Sequence, residues 1–540
     1  MRKASLFAVC LFLLHLFLAA QSTWTDSLVI TPERTAFQRT STYADVIKFL
    51  NVVKKLSDQI HVFSMGKSLE GKDIPVAVLA DPKITSAAEA KASGKMVLYI
   101  QGNIHAGEVE GKESVMILIR DILLGSKKYL LDNLVILFVP IYNTDSNDKM
   151  GKETRSSQEG SPVEAGQREN SQGLDLNRDG MKMEALETRA LFQNVIVPWD
   201  PQIFVDLHTT NGTWHAYSLT WAPSYHSAGE YAPYDYTNNK MLPAISNRAR
   251  EKYDLQFAPY GDYSVSDGWP LKNFYTYNHH PRYLVNQFGL RNRMAILSEA
   301  FAHERFYQRI NSTYIFISEI LEYANSHTAE IITTNKTAEQ AAVKNVTDYG
   351  GKTKKGVQFK MVPLQKLNNF ITYDYFPITD ANGKKKYIRT GKMVKYDDVN
   401  YYAKFDAVAE STVPRGYVIP ASLASIVTNL IMHGIKVDTL SKNQSFSGEI
   451  FKVDSLLKEN NGFQKHNLVS LKGTFIAASQ KFKKGDFVIN MAQPLSNLIF
   501  YLLEPQSDDG LVTWNFFDLY LENAGVATRQ VDYPVFKYFK

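Results

Sequence analysis

The sequence is almost devoid of cysteine, since its 540 residues include only Cys10. Cys10 has apolar residues on both sides within an N-terminal apolar stretch, which argues against a lipid-attachment site. The mature chain should therefore contain no disulfide. Any metal site in it must use histidine and carboxylate ligands.

The sequence also lacks a marked excess of one charge, because its formal net charge is only +5. Lysine and arginine are scattered, and the modest cluster "GKKKYIRTGK" is interpreted as a solvated hairpin. The electrostatic footprint of a nucleic-acid-binding protein is therefore missing. With 44% hydrophobic and 21% charged residues, the composition is that of a globular protein. Its length predicts two or more domains.

The apolar stretch near the N-terminus, Leu6 to Leu18, is too short for a comfortable membrane span of about 20 residues. Two basic residues precede it and Ala19-Ala20 follow it. This pattern predicts a secretory signal peptide at residues 1–20, with an uncleaved anchor as the alternative. We therefore expect a secreted or periplasmic protein that does not contact the membrane after cleavage.

Apolar runs of strand length recur between helical segments in the first 330 residues. They are "KMVLYI" (95–100), "NLVILFVPI" (133–141), "PQIFVDL" (201–207) and "RMAILS" (293–298). Runs that are apolar on both faces fit buried strands of a parallel sheet. The segment after Thr42 has helical periodicity, and Thr42 and Asp45 have the spacing of a capping box. The predicted fold class is α/β, with a largely parallel central sheet flanked by helices across residues 21–335.

A second, smaller module is predicted at residues 345–540, after a boundary at 330–345 where the sequence becomes polar. Asn382-Gly383 predicts a hairpin. The segment "SLASIVTNLIMHGIKVDTL" predicts a helix that ends near Gly434 and leads into a strand. The module is expected to be α+β or α/β, with a β-rich part at 345–415 and an α/β part at 416–540.

The stretch "QGNIHAGEVEGKES" holds His105 and Glu108, three residues apart, directly after the first buried run. Side chains at this spacing can converge on one metal ion, and the ends of strands in α/β sheets commonly carry sites. Ordinary loop polarity is the alternative for an isolated pair. His327 and Glu330 have the same spacing but lie in a polar stretch leading to the boundary, so we interpret that pair as structural.

Three further segments carry candidate functional residues. His208 ends the third apolar run, where a hydrogen-bonded core histidine is the alternative reading; with His105 and Glu108 it would complete a His2Glu site that leaves one position for water. The loop "GQRENSQGLDLNRDG" is either a solvated loop or a receptor for an anionic group. Glu299 ends the fourth apolar run, where a solvated carboxylate would be the ordinary interpretation.

Taken in this order, the segments resemble the zinc carboxypeptidase family, the metallopeptidases of carboxypeptidase A and B type. The family's motifs stand here as His105-Ala-Gly-Glu108, Asp175-Leu-Asn177-Arg178, His208 and Glu299. The resemblance spans roughly residues 31–306. No comparable pattern covers residues 345–540, although C-terminal extensions of this kind occur among secreted bacterial relatives.

The resemblance implies a role for each matching residue. His105, Glu108 and His208 would ligate one Zn²⁺ per chain, and Asp175 would accept the other ring N–H of the first zinc histidine. Glu299 would be the general base that takes a proton from zinc-bound water. The resemblance further implies that Arg168 stabilises the oxyanion and that Asn177 and Arg178 hold the free C-terminal carboxylate of a peptide substrate.

The resemblance is less definite between Trp214 and Arg293. It implies a mobile tyrosine about twenty residues before the catalytic glutamate, which could be Tyr275, Tyr277 or Tyr283; spacing favours Tyr277. His279 and His280 are interpreted as a surface-loop pair rather than a second metal site.

The sequence therefore predicts a zinc metallocarboxypeptidase that hydrolyses the C-terminal peptide bond of peptides. One alternative is a related zinc amidohydrolase acting on N-acyl amino acids or cell-wall peptides, with the same ligands and base. Another is a non-catalytic secreted binding protein, against which the presence of Glu299 and every expected ligand argues.

Overall fold

The computed structural model describes residues 27–225 and 228–540, so the predicted signal peptide and Cys10 lie outside the described residues. Within those two ranges, no helix has the length and apolar character needed to cross a bilayer. The strands are β1 Ile60–Lys67, β2 Asp73–Leu79, β3 Met96–Gly102, β4 Leu134–Val139, β5 Ile203–Thr209, β6 Leu219–Pro223, β7 Phe257–Pro259, β8 Asn273–Tyr275, β9 Met294–Ala300, β10 Lys354–Leu367, β11 Phe370–Thr379, β12 Lys385–Tyr396, β13 Val399–Thr412, β14 Gly416–Ile419, β15 Asp438–Thr439, β16 Gln444–Lys458, β17 Val469–Phe482, β18 Phe487–Asn490, β19 Val531–Asp532 and β20 Phe536–Tyr538.

The α-helices are α1 Thr31–Arg34, α2 Tyr43–Leu56, α3 Ala87–Ser93, α4 Glu110–Leu123, α5 Thr144–Asn147, α6 Leu186–Leu191, α7 Val197–Trp199, α8 Tyr231–Asp235, α9 Leu242–Tyr253, α10 Leu284–Leu290, α11 Phe306–Ser326, α12 Thr328–Tyr349, α13 Ala424–Met432, α14 Ser496–Leu503 and α15 Asp518–Asn523. Short 3-10 turns occur at Lys128–Asp132, Leu176–Arg178, Val265–Asp267 and Ala421–Leu423, and π-helical turns at Phe192–Ile196 and Tyr236–Met241.

Helix α2 begins as its sequence predicts. The Thr42 hydroxyl accepts a hydrogen bond from the Asp45 backbone N–H at 3.2 Å, and the Asp45 carboxylate accepts one from the Thr42 N–H at 3.0 Å. This reciprocal pair satisfies donors that the first helical turn leaves unpaired. The buried face of the helix carries Val46, Phe49, Leu50 and Val53. The predicted amphipathic helix and its capping box are confirmed.

The central sheet has eight strands in the order β1-β2-β4-β3-β5-β9-β6-β7. Its middle strands β4, β3, β5 and β9 are parallel neighbours, and they are the four apolar runs of the sequence. β1, β2 and β6 join by antiparallel pairing. Hydrophobic clusters lie on both faces of the sheet, which is why these strands read as continuous apolar runs. The predicted α/β fold class is confirmed.

The turn between β3 and α4 depends on a close approach of two backbone segments. A Cβ atom on Gly102 would lie 2.9 Å from the carbonyl carbon of Gly111, and one on Gly111 would lie 2.7 Å from the Leu207 Cβ. Glycine at both positions lets α4 pack directly on β3 and β5. The intervening segment, which carries His105 and Glu108, is thereby held over the carboxyl ends of the strands.

Residues 354–540, called the C-terminal module below, form three further sheets. β10 pairs with β13, which also pairs with β8; β11 and β12 form a hairpin; and β14 to β20, with β15 at one edge, form a seven-stranded sheet. The hairpin predicted at Asn382-Gly383 is confirmed, with Gly383 at φ 77°. Helix α13 ends at Met432, before Gly434 and β15, as predicted.

The interval predicted as a domain boundary lies inside helix α12. Its polar composition predicts a boundary, but Ile331, Ala338, Ala342 and Val346 are buried on one side of the helix. Ser496 of α14 donates a hydrogen bond to the Ala342 carbonyl at 3.4 Å. Apolar residues at helical spacing thus provide a packing stripe within a largely polar sequence.

Candidate active site

Three side chains predicted to bind a metal come together at the carboxyl ends of β3 and β5. The His105 Nδ1 lies 3.0 Å from Glu108 Oε1, and the His208 Nδ1 lies 2.9 Å from Glu108 Oε2. Ligand atoms of the three residues all lie within 4.8 Å of one another. Each residue is only 3% exposed. Two separate strand ends therefore present one compact set of donors.

The far ring nitrogens of both histidines face buried carboxylates. The His105 Nε2 lies 3.0 Å from Asp175 Oδ1, and the His208 Nε2 lies 3.0 Å from Asp206 Oδ2. With a proton on each Nε2, both Nδ1 lone pairs would be available to a cation shared with the Glu108 carboxylate. Two imidazoles backed by carboxylates plus one glutamate match the donors of catalytic zinc sites. The residues therefore fit a divalent metal ion.

Asp175 connects the first histidine to the polar segment that follows it. Its Oδ2 accepts hydrogen bonds from Arg168 at 2.8 and 3.0 Å, and its Oδ1 accepts one from the Asn177 N–H at 2.9 Å. Burial would raise the pKa of Asp175, but the charges of His105, Arg178 and Arg168 hold it well below its usual range. Asp175 is therefore an ionised partner for both the imidazole and the guanidinium.

Asn177 and Arg178 form the short turn after Asp175. The Asn177 Oδ1 accepts a hydrogen bond from the Leu284 N–H at 3.1 Å. The Arg178 guanidinium donates to the Asn177 carbonyl at 2.8 Å and lies 4.3 Å from the centre of the Tyr283 ring. One donor of Arg178 is thus occupied by the backbone and its planar face by an aromatic ring, which fixes the direction of the remaining donors.

Glu299 lies beside His208 because β5 and β9 are parallel neighbours with these two residues paired in register. Burial raises the pKa of Glu299 above its usual range, and the charge of Glu108 adds to this shift, while His208, Arg155 and Arg168 oppose it. A half-buried carboxyl with a raised pKa is suited to accepting a proton near neutral pH.

The donor set opens into a cavity of about 240 Å³. The cavity is lined by His105, Glu108, Arg155, Arg168, Asn177, Arg178, His208, Thr209, Asn211, Tyr260, Tyr277, Tyr283, Val285, Leu297 and Glu299. Every predicted site residue except Asp175 contributes to this wall, and Asp175 lies behind His105. The wall has three arginines against two carboxylates, while Val285, Leu297 and the tyrosines make part of it apolar.

Sequence reasoning missed Arg155 and Asp206. The Arg155 guanidinium donates to Glu108 Oε1 at 2.9 Å and to the Thr209 carbonyl at 3.2 Å. It comes from the polar stretch "GKETRSSQEG", which has no periodicity or motif to distinguish it. Asp206 did carry a signal: it precedes His208 by two residues in a strand, so both side chains point to the same face.

The three candidate tyrosines have different environments. Tyr275 does not line the cavity; its ring packs on Tyr402, with centroids 4.7 Å apart. The Tyr277 hydroxyl, favoured by spacing, donates to the Pro223 carbonyl at 3.2 Å and lies 3.1 Å from Asn286 Oδ1. The Tyr283 ring lines the cavity and covers Arg178. Tyr277 is thus held in the wall, whereas Tyr283 lies against the predicted carboxylate receptor.

The interpretation of His279 and His280 as a surface-loop pair is wrong, because His279 is only 2% exposed. Its Nε2 lies 3.2 Å from Asp508 Oδ2 in the C-terminal module. Asp508 also accepts hydrogen bonds from the Phe359 N–H at 3.1 Å and from the Tyr501 hydroxyl. The polar loop sequence looked solvated because its burial depends on a segment more than two hundred residues away.

Comparison with known proteins gives matches to a family, to related sequences and to solved structures. Residues 46–291 match the model of the family described as zinc carboxypeptidase, a range that includes every candidate site residue except Glu299. Carboxypeptidase 2 of Trichophyton rubrum is 22% identical over 489 residues, covering 87% of this chain and 81% of the relative. Carboxypeptidase 2 of Trichophyton tonsurans is also 22% identical, over 490 residues, covering 87% of this chain and 81% of the relative.

Solved structures of similar proteins include a metallo-carboxypeptidase from Burkholderia cenocepacia, with 17% identity and a TM-score of 0.40, covering 53% of this chain and 70% of that one. Carboxypeptidase A from Helicoverpa armigera has 15% identity and a TM-score of 0.38, covering 57% of this chain and 78% of its own.

Proposed function

Since this chain belongs to the zinc carboxypeptidase family through residues 46–291, and is thus a metallocarboxypeptidase, we propose that it releases single residues from the free C-termini of peptides. The observation that carries this proposal is the pair of histidines that both face Glu108 through Nδ1 and both face a buried carboxylate through Nε2. The family is zinc-dependent. The finer proposal is one zinc ion per chain, held by His105, Glu108 and His208.

The metal would supply Lewis acidity, which lowers the pKa of a bound water to about 7 and polarises the scissile carbonyl. The protein residues carry out the other steps. Glu299 takes a proton from the attacking water onto its carboxylate and later delivers it to the departing amine. Its position beside His208 in the wall of the cavity supports this role.

Two arginines are proposed to stabilise negative charge on the substrate carbonyl oxygen. Arg168 keeps this predicted role, although two of its donors are engaged with Asp175. Arg155 joins it, since the same guanidinium that contacts Glu108 also lines the cavity. Removing one donor of this kind typically costs about 100-fold or more in rate.

The free carboxylate of the substrate is proposed to bind Asn177 and Arg178. A guanidinium fork matches a carboxylate geometrically, and stacking on Tyr283 presets the orientation of the fork. Tyr283, rather than Tyr277, is proposed to contact the bound residue, because the Tyr277 hydroxyl already has partners in the wall. This anchor makes the enzyme act at the chain end.

The enzyme is also proposed to work outside the cytoplasm, either secreted or in the periplasm. The support is the N-terminal pattern at residues 1–20 together with a chain whose only cysteine lies in that segment. Residues 21–335 are proposed to be the catalytic domain and residues 345–540 an accessory module. Neither nucleic acid nor, after cleavage, a membrane is proposed as a partner.

The test is metal content and peptide turnover, both measured by mass spectrometry, on the mature protein, on Glu299→Gln and on Glu410→Gln. Glu410 is an exposed carboxylate on β13 and serves as the matched control. We expect one zinc in all three proteins, release of single C-terminal residues by the first and third, and a loss of about 100-fold or more in Glu299→Gln.

Zinc without release from any peptide would exclude the carboxypeptidase proposal and leave an amidohydrolase or a binding protein. The absence of stoichiometric metal would refute the assignment of the metal ligands.

A further inference from the structure

The C-terminal module reaches the candidate site through the loop between β16 and β17, residues 459–468, called the module loop here. At its tip Phe463 and His466 exchange two backbone hydrogen bonds of 2.7 and 2.9 Å, which leaves Gln464 and Lys465 as a two-residue turn. Both residues have left-handed backbone conformations, with φ of 51° and 66°.

Turns with positive φ at both central positions normally use asparagine or glycine. Glutamine and lysine there cost conformational free energy, because their Cβ atoms crowd the backbone. Strain of this kind persists where the surrounding structure requires a particular side chain at that point. The two side chains of this turn contact Asp175 and Gln172 in the first part of the chain.

Gln464 holds Asp175. The backbone N–H of Asp175 donates a 2.8 Å hydrogen bond to the Gln464 side-chain oxygen. The Asp175 carboxylate in turn contacts His105 and Arg168, and its Oδ1 accepts the N–H of Asn177. One contact from the module thus fixes the residue that links the metal-facing imidazole to the substrate anchor.

The module loop is itself attached through two residues, His466 and Phe463. The His466 Nε2 lies 2.9 Å from a Glu184 carboxylate oxygen, and its Nδ1 lies 2.8 Å from Asn515 Oδ1. The Phe463 ring lies 5.1 Å from the guanidinium carbon of Arg282. Arg282 is paired with the fully buried Asp509 at 2.8 Å. Gln464 is therefore supported by a rigid base rather than by a free loop.

We propose that Gln464 is a positioning residue for the peptidase reaction, and that the C-terminal module completes the active site by fixing Asp175. This inference rests on the proposed function. The C-terminal module thereby has a defined role. The proposed metal ligands come from the first part of the chain, while the position of Asp175, which orients His105, depends on Gln464 of the module.

The test compares two glycine variants of the same turn, Gln464→Gly and Lys465→Gly. Glycine adopts positive φ without strain, so both variants should keep or raise the thermal midpoint. Only Gln464→Gly removes the acceptor from Asp175; Lys465→Gly removes a contact from the lysine amine to the Gln172 carbonyl. A third variant, Gln464→Met, keeps the side-chain length without the acceptor.

For Gln464→Gly and Gln464→Met we expect KM for a peptide with a free C-terminus to rise about tenfold, as for the loss of one buried hydrogen bond. We expect kcat to change much less. Zinc affinity, measured by competition with a chelator, should fall about threefold or more, because His105 loses part of its support. Lys465→Gly should match the unsubstituted protein in KM and in zinc affinity.

A rise in KM or a loss of zinc affinity that Lys465→Gly lacks supports the proposal. Equal values for the Gln464 and Lys465 variants in both measurements would overturn it. If the zinc-loaded unsubstituted protein releases no residue from any peptide, the proposed function fails, and the comparison of zinc affinities alone then decides the role of Gln464.

Discussion

Replacing Asp206 by asparagine should weaken zinc binding without removing any of the proposed metal ligands. Asp206 is completely buried; its Oδ2 lies 3.0 Å from the His208 Nε2, and its Oδ1 accepts a 3.0 Å hydrogen bond from the Gln101 amide. The Tyr99 hydroxyl donates to Gln101 in turn, at 2.8 Å. The carboxylate therefore places one oxygen against the imidazole and the other on a fixed amide.

Asparagine has a single acceptor in place of these two. If the amide oxygen stays with Gln101, its NH2 group faces the His208 Nε2, which must then give up its proton. The proton would move to Nδ1, the nitrogen directed at Glu108 and at the proposed metal position. Substitutions of residues that orient a metal ligand typically cost 10–100-fold in affinity. For Asp206→Asn this corresponds to about 1.4–2.8 kcal/mol.

The assay is the zinc dissociation constant measured by competition with a chelator at constant pH. Glu113→Gln is the matched control, because Glu113 is equally buried and accepts hydrogen bonds from Thr40 and Ser41 but none from the metal-facing residues. That control should lose about 1–3 kcal/mol of stability and keep its zinc affinity. Equal zinc affinity in Asp206→Asn and the unsubstituted protein would refute the role assigned to Asp206.

Three further predictions concern the proposed substrate anchor and the contact between the two parts of the chain. Arg178→Ala should raise KM about 100-fold for peptides with a free carboxylate, because a bidentate charged contact is lost; steady-state kinetics that showed no change would exclude this anchor. Arg282→Ala should destabilise the protein by about 3–5 kcal/mol in urea unfolding, because it leaves Asp509 buried without its partner, and a loss under 1 kcal/mol would contradict this. His466→Ala should lower the free energy of unfolding by about 1 kcal/mol, a value kept small by the partial exposure of the His466–Glu184 pair. The loss should be largest between about pH 4.5 and 6.5. The pKa of Glu184 is lowered to about 2 in the folded protein, so its stabilising contribution is present above the pKa of the unfolded chain and is lost as the pH falls. The pKa of His466 is raised in the folded protein, so its stabilising contribution is complete below the pKa of the unfolded chain and is lost as the pH rises through the folded-state pKa. A destabilisation that stays the same from pH 3 to pH 9 would contradict the pairing.

The sequence was informative wherever local pattern decides structure. The four buried runs became the parallel centre of the sheet because their residues are apolar on both faces. His105 and His208 could be singled out because each follows such a run, and strand ends are where parallel sheets bring side chains together. Asp206 was predictable in principle from its two-residue spacing to His208.

Contacts between distant segments could not be derived in this way. Gln464 lies 289 residues from Asp175 in the sequence, and the loop that carries it has no motif. The burial of His279 likewise depends on Asp508. The boundary predicted at 330–345 lies within helix α12, whose polar composition does not show that Ile331 and Val346 are buried.

The parallel pairing of β8 with β13 has a consequence for how the molecule unfolds. Phe274 of β8 is fully buried and lies opposite Tyr401 of β13, so a strand from the first part of the chain is a member of a sheet of the second. Separating the two parts would expose an apolar ring and a row of unpaired backbone groups. We therefore expect heating to melt both in a single cooperative transition, and proteases to release no stable fragment that ends before β10.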